Sequence, residues 1–128
     1  MSSRTIRTIT ALVIALSMMF GAVSPAMASA KSARAKRHAK IKKIITATAK
    51  EKKLKKDQIK ALLKLCWRES GYNPKARNHS CKGLFQLKTK SKKWADPKWN
   101  TAKAIRYIKH RYGTPKKALA HAYRVGWY

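Results

Sequence analysis

The segment CWRESGYNPKARNHSCKGLFQL, from Cys66 to Leu87, decides how this chain is interpreted, because it contains a carboxylate in an unusual position. The chain has 32 Lys and Arg residues but only 4 Asp and Glu residues. Glu69 is one of those four, and it follows an apolar run of helical spacing. A carboxylate on an apolar helix face loses hydration, which raises its pKa towards the range that a general acid needs. A structural alternative is that Glu69 pairs with a buried Lys or Arg.

Apolar residues before Glu69 recur at the intervals of an amphipathic helix. The stripe consists of Ile59, Leu62, Leu63 and Cys66. Asp57 is expected to cap this helix, because its side chain can accept a free backbone N–H of the first turn. Glu69 lies seven residues after Leu62, so it points from the same face. Gly71 and the following Asn73-Pro74 are expected to end the helix.

Three more helices are indicated by the same rules. The stripe of an earlier helix consists of Ile41, Ile44, Ile45 and Ala49. Asp96-Pro97 and Thr114-Pro115 are cap-then-proline pairs that start two later helices, and Gly113 ends the first of these. No window alternates in the manner of a strand, although a short turn or hairpin is expected around Asn78 to Phe85. The chain is therefore predicted to be all-α, with about four to six helices.

The first thirty residues have the layout of a secretory signal peptide. Arg4 and Arg7 precede a largely apolar run, and small residues around Ala28 offer cleavage sites. An uncleaved membrane anchor is the alternative, but the run is shorter than the roughly 20 residues of a spanning helix. We expect a signal peptide over residues 1–30, a flexible basic leader over 31–40 and one domain over 41–128. The mature protein would be secreted, extracellular or associated with a cell wall.

Two cysteines, Cys66 and Cys81, lie in the part expected to be exported. An even number of cysteines in a small secreted chain favours a disulfide between them. Closing a loop of about 15 residues would contribute roughly 3 kcal/mol in the chain-entropy model. Two free thiols are the alternative.

The net charge of +28 gives information about the partners that the protein can bind rather than about its fold. Anionic wall polymers, nucleic acid and anionic membranes all fit this charge. His38, His79, His110 and His121 have no metal-ligand spacing, and the chain has no Gly-rich phosphate loop. No metal and no cofactor are therefore expected, and a monomer is the expected state. The aromatic residues Trp67, Tyr72 and Phe85, near Glu69, are suited to stacking on sugar faces.

The central segment resembles the signature of the soluble lytic transglycosylase family, whose fold is lysozyme-like. The matching residues are Glu69, Ser70, Asn73, Pro74, Ala76, Gly83, Leu84, Phe85 and Gln86. The later segments DPKWN and ALAHAYRVGWY are similar to further family motifs, at Asp96, Pro97, Asn100, Tyr123 and Gly126. The resemblance covers roughly Ile41 to Tyr128. It implies a small lysozyme-like domain that acts on peptidoglycan.

The resemblance also implies roles for individual residues. Glu69 would be the catalytic acid, and Ser70 would brace its surroundings. Gln86 would contact a substrate sugar, and Tyr123 would lie beside Glu69 across a cleft. Ser70 has the alternative of an ordinary polar residue at a helix end. For Gln86 and Tyr123 the alternative is ordinary packing or surface exposure.

The number of carboxylates constrains the reaction. Ordinary glycosidases use two carboxylates that flank the scissile bond. Asp57 and Asp96 are expected to be helix caps, and Glu51 is expected to pair with Lys55 on an exposed face. That leaves Glu69 alone, which favours a one-carboxylate reaction that closes a 1,6-anhydro ring.

These observations predict an exported peptidoglycan lytic transglycosylase that cleaves the β-1,4 bond between N-acetylmuramic acid and N-acetylglucosamine. A lysozyme-type hydrolase is a variant of the same prediction. The expected partners are peptidoglycan glycan strands and anionic wall polymers, without specific nucleic-acid binding and without stable membrane insertion after cleavage. The main alternative is a non-enzymatic, cationic wall-binding or antimicrobial protein on the same fold.

Overall fold

The computed structural model describes residues 23–128, and this part of the chain is mostly helical. Four α-helices and a three-stranded sheet are present in it. In chain order the elements are α1 (Pro25–Glu51), α2 (Lys56–Ser70), β1 (Arg77–Asn78), β2 (Cys81–Lys82), β3 (Leu87–Lys88), a 3-10 helix (Lys92–Ala95), α3 (Pro97–Arg111) and α4 (Pro115–Val125). The all-α prediction is confirmed at this coarse level.

Helix α1 includes the segment that was expected to be a flexible leader. Residues 31–40 are helical, so that expectation is wrong. The physical reason is composition, because Ala, Lys and Arg are among the strongest helix formers and need no buried face to be helical. The segment is exposed apart from the half-buried His38. The apolar core of the expected signal peptide lies outside the described residues.

The chain divides into two compact units, Met1–Ala35 and Lys36–Tyr128. In the larger unit, the predicted stripe on α1 is buried at Ile41, Ile45 and Ala49. Helix α2 packs chiefly against α4. The largest fully buried side chains include Phe85, Ile45, Leu62, Leu65, Leu84, Ile105 and Ile108. The core therefore joins residues of α1, α2 and α3 with the turn between β2 and β3.

The ends of α2 correct one prediction and confirm another. Its N-cap residue is Lys55, which makes no side-chain capping hydrogen bond. Asp57 lies in the first turn instead, where its charge complements the helix dipole, and it pairs with Lys116 at 3.5 Å. Gly71 ends the helix as predicted, in the left-handed conformation with φ of 57°.

Both cap-then-proline predictions are confirmed. Asp96 Oδ1 accepts a hydrogen bond from the backbone N–H of Trp99 at 3.0 Å, at the start of α3. Thr114 Oγ1 accepts one from the backbone N–H of Lys117 at 3.3 Å, at the start of α4. Pro97 and Pro115 are the first residues of the two helices, where a missing N–H costs nothing.

The expected hairpin is present and is extended by a third strand. Strand β2 pairs antiparallel with both β1 and β3, and Cys81 lies opposite Lys88. The buried Asn100 of α3 holds the turn that follows β2. Its Oδ1 accepts from the backbone N–H of Phe85 at 3.0 Å, and its Nδ2 donates to the carbonyls of Lys82 and Trp94. A Cβ at Gly83 would lie only 2.2 Å from Asn100 Nδ2, so this close approach requires glycine.

The predicted disulfide is absent, and both cysteines are free thiols. Cys66 is fully buried in the core, where its Sγ donates a weak hydrogen bond to the carbonyl of Leu84 at 3.5 Å. Cys81 lies on β2 and is half-buried. The prediction failed because an even count says nothing about the direction of the two Cβ vectors, which a disulfide requires to converge. In the part of the chain that the structure describes, no helix is long and apolar enough to span a membrane.

Candidate active site

Glu69 lies in the last turn of α2 and is half-buried. Its lost hydration raises the pKa of the carboxyl above the ordinary value, and the adjacent Arg68 charge opposes this only in part. Among residues 23–128, the two ion pairs join Lys98 to Glu51 and Lys116 to Asp57. The alternative that Glu69 pairs with a buried base therefore has no support in the described part of the chain. The environment is one that keeps a carboxylic acid protonated at higher pH.

Tyr128 lines a cavity, and the charge of Glu69 acts on its phenol. Burial raises the pKa of the Tyr128 phenol well above its ordinary value, and the negative charge of Glu69 raises it further. The Tyr128 hydroxyl donates to the carbonyl of Phe85, and its ring packs edge-on against Tyr107 with centroids 5.9 Å apart. The Tyr128 phenol is thus fixed by both a hydrogen bond and aromatic packing, and the charge of Glu69 acts on it.

We call the space in front of this phenol the Tyr128 cavity. Its volume is about 470 Å³, which is within the range of small-molecule sites. The residues that line it are Cys81, Gln86, Leu87, Lys88, Thr89, Trp99, Lys103, Tyr107 and Tyr128. Aromatic rings, amide and hydroxyl groups and two lysines are combined in this lining. Such a surface can pack against the faces of a sugar ring while it hydrogen-bonds the hydroxyl edges.

Gln86 lines the Tyr128 cavity and also holds the loop that forms it. Its Nε2 donates to the carbonyls of Ala76 at 3.1 Å and Gly83 at 2.9 Å. Only the amide nitrogen can donate to two carbonyls, so the amide oxygen is directed away from both. Ser70 has a structural contact, since its hydroxyl donates to the carbonyl of Cys66 at 3.3 Å. That contact agrees with the alternative of a polar residue at a helix end.

Two aromatic residues proposed for sugar stacking are buried, which corrects the sequence-based expectation. Phe85 is fully buried in the core, so its ring has no face available to a ligand. Tyr72 is only 8% exposed, and its hydroxyl donates to the carbonyl of Leu63 at 3.1 Å. Both rings were assigned from their distance along the chain to Glu69. Chain distance does not distinguish a ring that faces the core from one that faces a cleft.

Tyr123 lies at the surface of the fold. It is 64% exposed on α4, and the Arg68 guanidinium lies 5.6 Å from its ring centroid. It lines a second cavity together with Lys64, Trp67, Arg68 and Tyr72. Glu69 and Gln86 do not line this second cavity. The structure therefore brings Gln86 to the Tyr128 cavity and Tyr123 to the other one.

Seven residues that line the Tyr128 cavity were not among the site residues assigned from the sequence: Leu87, Lys88, Thr89, Trp99, Lys103, Tyr107 and Tyr128. Trp99, Lys103 and Tyr107 are spaced i, i+4, i+8 and line the cavity from one face of α3. That spacing was a signal in the sequence. Tyr128 has no comparable signal, because its proximity to Glu69 depends on the packing of the chain after α4.

The remaining carboxylates have structural partners. Glu51 pairs with Lys98 at 3.2 Å rather than with the expected Lys55, because Lys98 is brought close by the fold. Asp57 pairs with Lys116 and Asp96 caps α3. Across residues 23–128, no three metal-ligating side chains come together. Comparison of the chain with protein-family models, with curated proteins and with solved structures finds no match.

Proposed function

We propose that this chain is an exported peptidoglycan lytic transglycosylase with a lysozyme-like fold, and that Glu69 is its general acid and base. The observation that carries the proposal is the half-buried Glu69, which has a raised pKa and no ion pair among the described residues. The resemblance of Glu69, Ser70 and Gln86 to the family motif supports the same function. Export is supported by the signal-peptide pattern of residues 1–30.

In the proposed reaction, the protonated Glu69 donates its proton to the glycosidic oxygen. The bond between this oxygen and the sugar C1 then breaks, and the N-acetyl carbonyl of N-acetylmuramic acid stabilises the positive charge at C1. The Glu69 carboxylate next accepts the proton of the 6-hydroxyl of the same sugar. The 6-oxygen bonds to C1 and closes the 1,6-anhydro ring. Glu69 ends the cycle protonated, and no water is consumed.

A single carboxylate suffices for this sequence of steps, because the nucleophile that completes it belongs to the substrate. An enzyme that activates water or forms a covalent intermediate needs a second carboxylate across the bond. Glu51 and Asp57 are held in exposed ion pairs, and Asp96 is held in a helix cap. This allocation of carboxylates favours the anhydro product over a hydrolysed one.

The Tyr128 cavity supplies groups that suit a substrate of amino sugars. Trp99 and Tyr107 line one side, with Lys103 over the Trp99 ring, and Gln86 offers its amide oxygen on the other side. Lys88 and Lys103 add positive charge, which suits the carboxylates of a peptidoglycan strand. Glu69 does not itself line this cavity, so the proposed reaction requires a glycan strand that extends from the cavity to Glu69.

The test is mass spectrometry of the muropeptides released from purified cell walls. We expect the wild type to release 1,6-anhydro ends. Glu69→Gln should lower the rate by at least about 10² to 10⁴, because Gln keeps the shape of the side chain but cannot donate a proton. Asp96→Asn is the matched control, since it changes a carboxylate to an amide at a helix cap and should leave activity nearly unchanged.

Other results would separate the alternatives. Reducing ends from the wild type would assign the protein to the hydrolases. Full activity of Glu69→Gln would exclude Glu69 as the acid. Wall binding without any released product would favour the non-enzymatic cationic protein.

A further inference from the structure

The second cavity, lined by Lys64, Trp67, Arg68, Tyr72 and Tyr123, is not used by the proposed reaction. We call it the Trp67 cavity, and its volume is about 480 Å³. Lys64, Trp67 and Arg68 are spaced i, i+3, i+4, so they share one face of α2. Trp67 and Glu69 are two residues apart, which is a rotation of about 200° around the helix axis. The cavity therefore lies on the side of α2 away from Glu69.

Trp67 differs from the other tryptophans of the chain in the space over its ring. Each of the others has a basic group over its ring: Arg77 lies 5.3 Å from the Trp94 centroid, Lys103 lies 5.6 Å from that of Trp99, and Arg111 lies 5.1 Å from that of Trp127. In residues 23–128, no basic group covers Trp67, although it is 55% exposed and has Lys64 and Arg68 beside it. Its ring is therefore open to a ligand.

The aromatic neighbours of Trp67 hold the ring in place. The His38 ring packs edge-on against it, with centroids 5.6 Å apart, and the Tyr72 ring is tilted against it at 5.4 Å. Tyr72 is in turn fixed by its hydrogen bond to the Leu63 carbonyl. An exposed aromatic ring that is held from two sides loses little conformational entropy when it binds.

Basic groups surround this ring, and no carboxylate lines the cavity. Lys64 and Arg68 are part of the lining, and Lys42 Nζ lies 5.2 Å from the Tyr72 centroid. A ligand that fits must combine a flat apolar face, for Trp67, with negative charge at its edge, for the basic groups. A sugar ring that carries a carboxylate or a phosphate has both properties.

We propose that the Trp67 cavity binds an anionic glycan. One sugar ring lies on Trp67, and its acidic groups lie between Lys64 and Arg68. Single-stranded nucleic acid fits less well, because its binding sites stack successive bases on successive open rings. Lys42 lies over the Tyr72 ring and Arg68 over the Tyr123 ring, so among the described residues Trp67 is the ring of this cavity without a Lys or Arg group over it. The site goes beyond the proposed reaction, since a glycan held there does not present its glycosidic bond to Glu69.

The test measures the binding of defined polymers to the full chain carrying Glu69→Gln, so that cleavage does not interfere. The probes are an oligogalacturonide, a phosphomannan whose sugar rings carry phosphate, and oligothymidine, each titrated at about 0.1 M salt. The site variants are Trp67→Ala, Trp67→Phe and Lys64→Gln. Trp127→Ala and Lys109→Gln are the matched controls, because they remove an exposed tryptophan and an exposed lysine elsewhere.

We expect Trp67→Ala to weaken binding of at least one of the two acidic glycans about tenfold, and Trp67→Phe to retain most of the affinity. Lys64→Gln should weaken the same glycan about threefold, while both control variants stay within about twofold. Binding of the oligogalacturonide alone or of the phosphomannan alone would identify the acidic group and support the proposal. Thermal unfolding of each variant verifies that it is folded.

Equal losses in Trp67→Ala and Trp127→Ala would show that binding is due to diffuse charge, and would overturn the proposal. A loss confined to oligothymidine would overturn it in favour of a nucleic-acid site. Neither result bears on cleavage, which is measured separately with the wild type.

Discussion

At the scale of the residue, Glu69 is the group whose ionisation opposes folding. Its pKa in the folded chain is raised above 4.5, chiefly by burial, so the folded state favours the protonated form. Proton binding by Glu69 therefore stabilises the folded state. This stabilisation is fully present below about pH 4.5 and is lost as the pH rises through the folded-state pKa. This is the physical cost of keeping an acid ready for proton transfer.

Glu69→Gln should consequently be more stable than the wild type near neutral pH, because Gln has no charge to desolvate. The difference in melting temperature should shrink as the pH falls towards about 4. Thermal unfolding followed by circular dichroism between these pH values measures it. A wild type that is the more stable of the two at neutral pH would mean that the ionised Glu69 has a favourable partner, contrary to the structure.

The two thiols should differ in reactivity. Burial raises the pKa of Cys66 to about 12, so its thiolate is scarce at neutral pH, whereas Cys81 lines the Tyr128 cavity. We expect alkylation of the native protein to modify Cys81 and to spare Cys66, and alkylation in denaturant to modify both. Peptide mass spectrometry identifies the sites. If neither thiol is alkylated in denaturant until reductant is added, the two cysteines form a disulfide, contrary to the structure.

At the scale of the element, Asn100 connects α3 to the sheet and to the 3-10 helix. Asn100→Ala would leave the Phe85 N–H and the Lys82 and Trp94 carbonyls without this partner. We expect it to lower the free energy of unfolding by about 3 kcal/mol or more. Asp96→Ala removes a single capping bond of the same helix and should cost only about 1 kcal/mol. Urea denaturation compares the two variants, and equal losses would contradict the connecting role of Asn100.

At the scale of the whole molecule, the net charge of +28 governs association with anionic surfaces. Binding to isolated cell walls should fall steeply with salt, because the Debye length decreases from about 10 Å at 0.1 M to about 3 Å at 1 M. Sedimentation of the Glu69→Gln protein with walls measures this without cleavage. Removal of residues 31–35, which are exposed and include Lys31 and Arg34, should reduce the binding at low salt. Binding that molar salt leaves unchanged would contradict an electrostatic association.

The sequence by itself determined the features that depend on neighbours along the chain. The stripes of α1 and α2, the end of α2 at Gly71 and the caps Asp96 and Thr114 were all predictable. Each of them involves residues within a few positions of one another, so propensity and spacing are enough. The half-buried position of Glu69 was predictable for the same reason, since it continues the apolar face of its own helix.

Only the tertiary structure decided which side chains meet across the chain. The burial of Phe85 and Tyr72, the separation of Tyr123 from Gln86, the free thiols and the proximity of Tyr128 to Glu69 all depend on it. Local spacing places a residue on one face of its helix, but it does not say what covers that face. That covering is set by the packing of α2 against α4 and by the turn that Asn100 holds, which join residues far apart in the sequence.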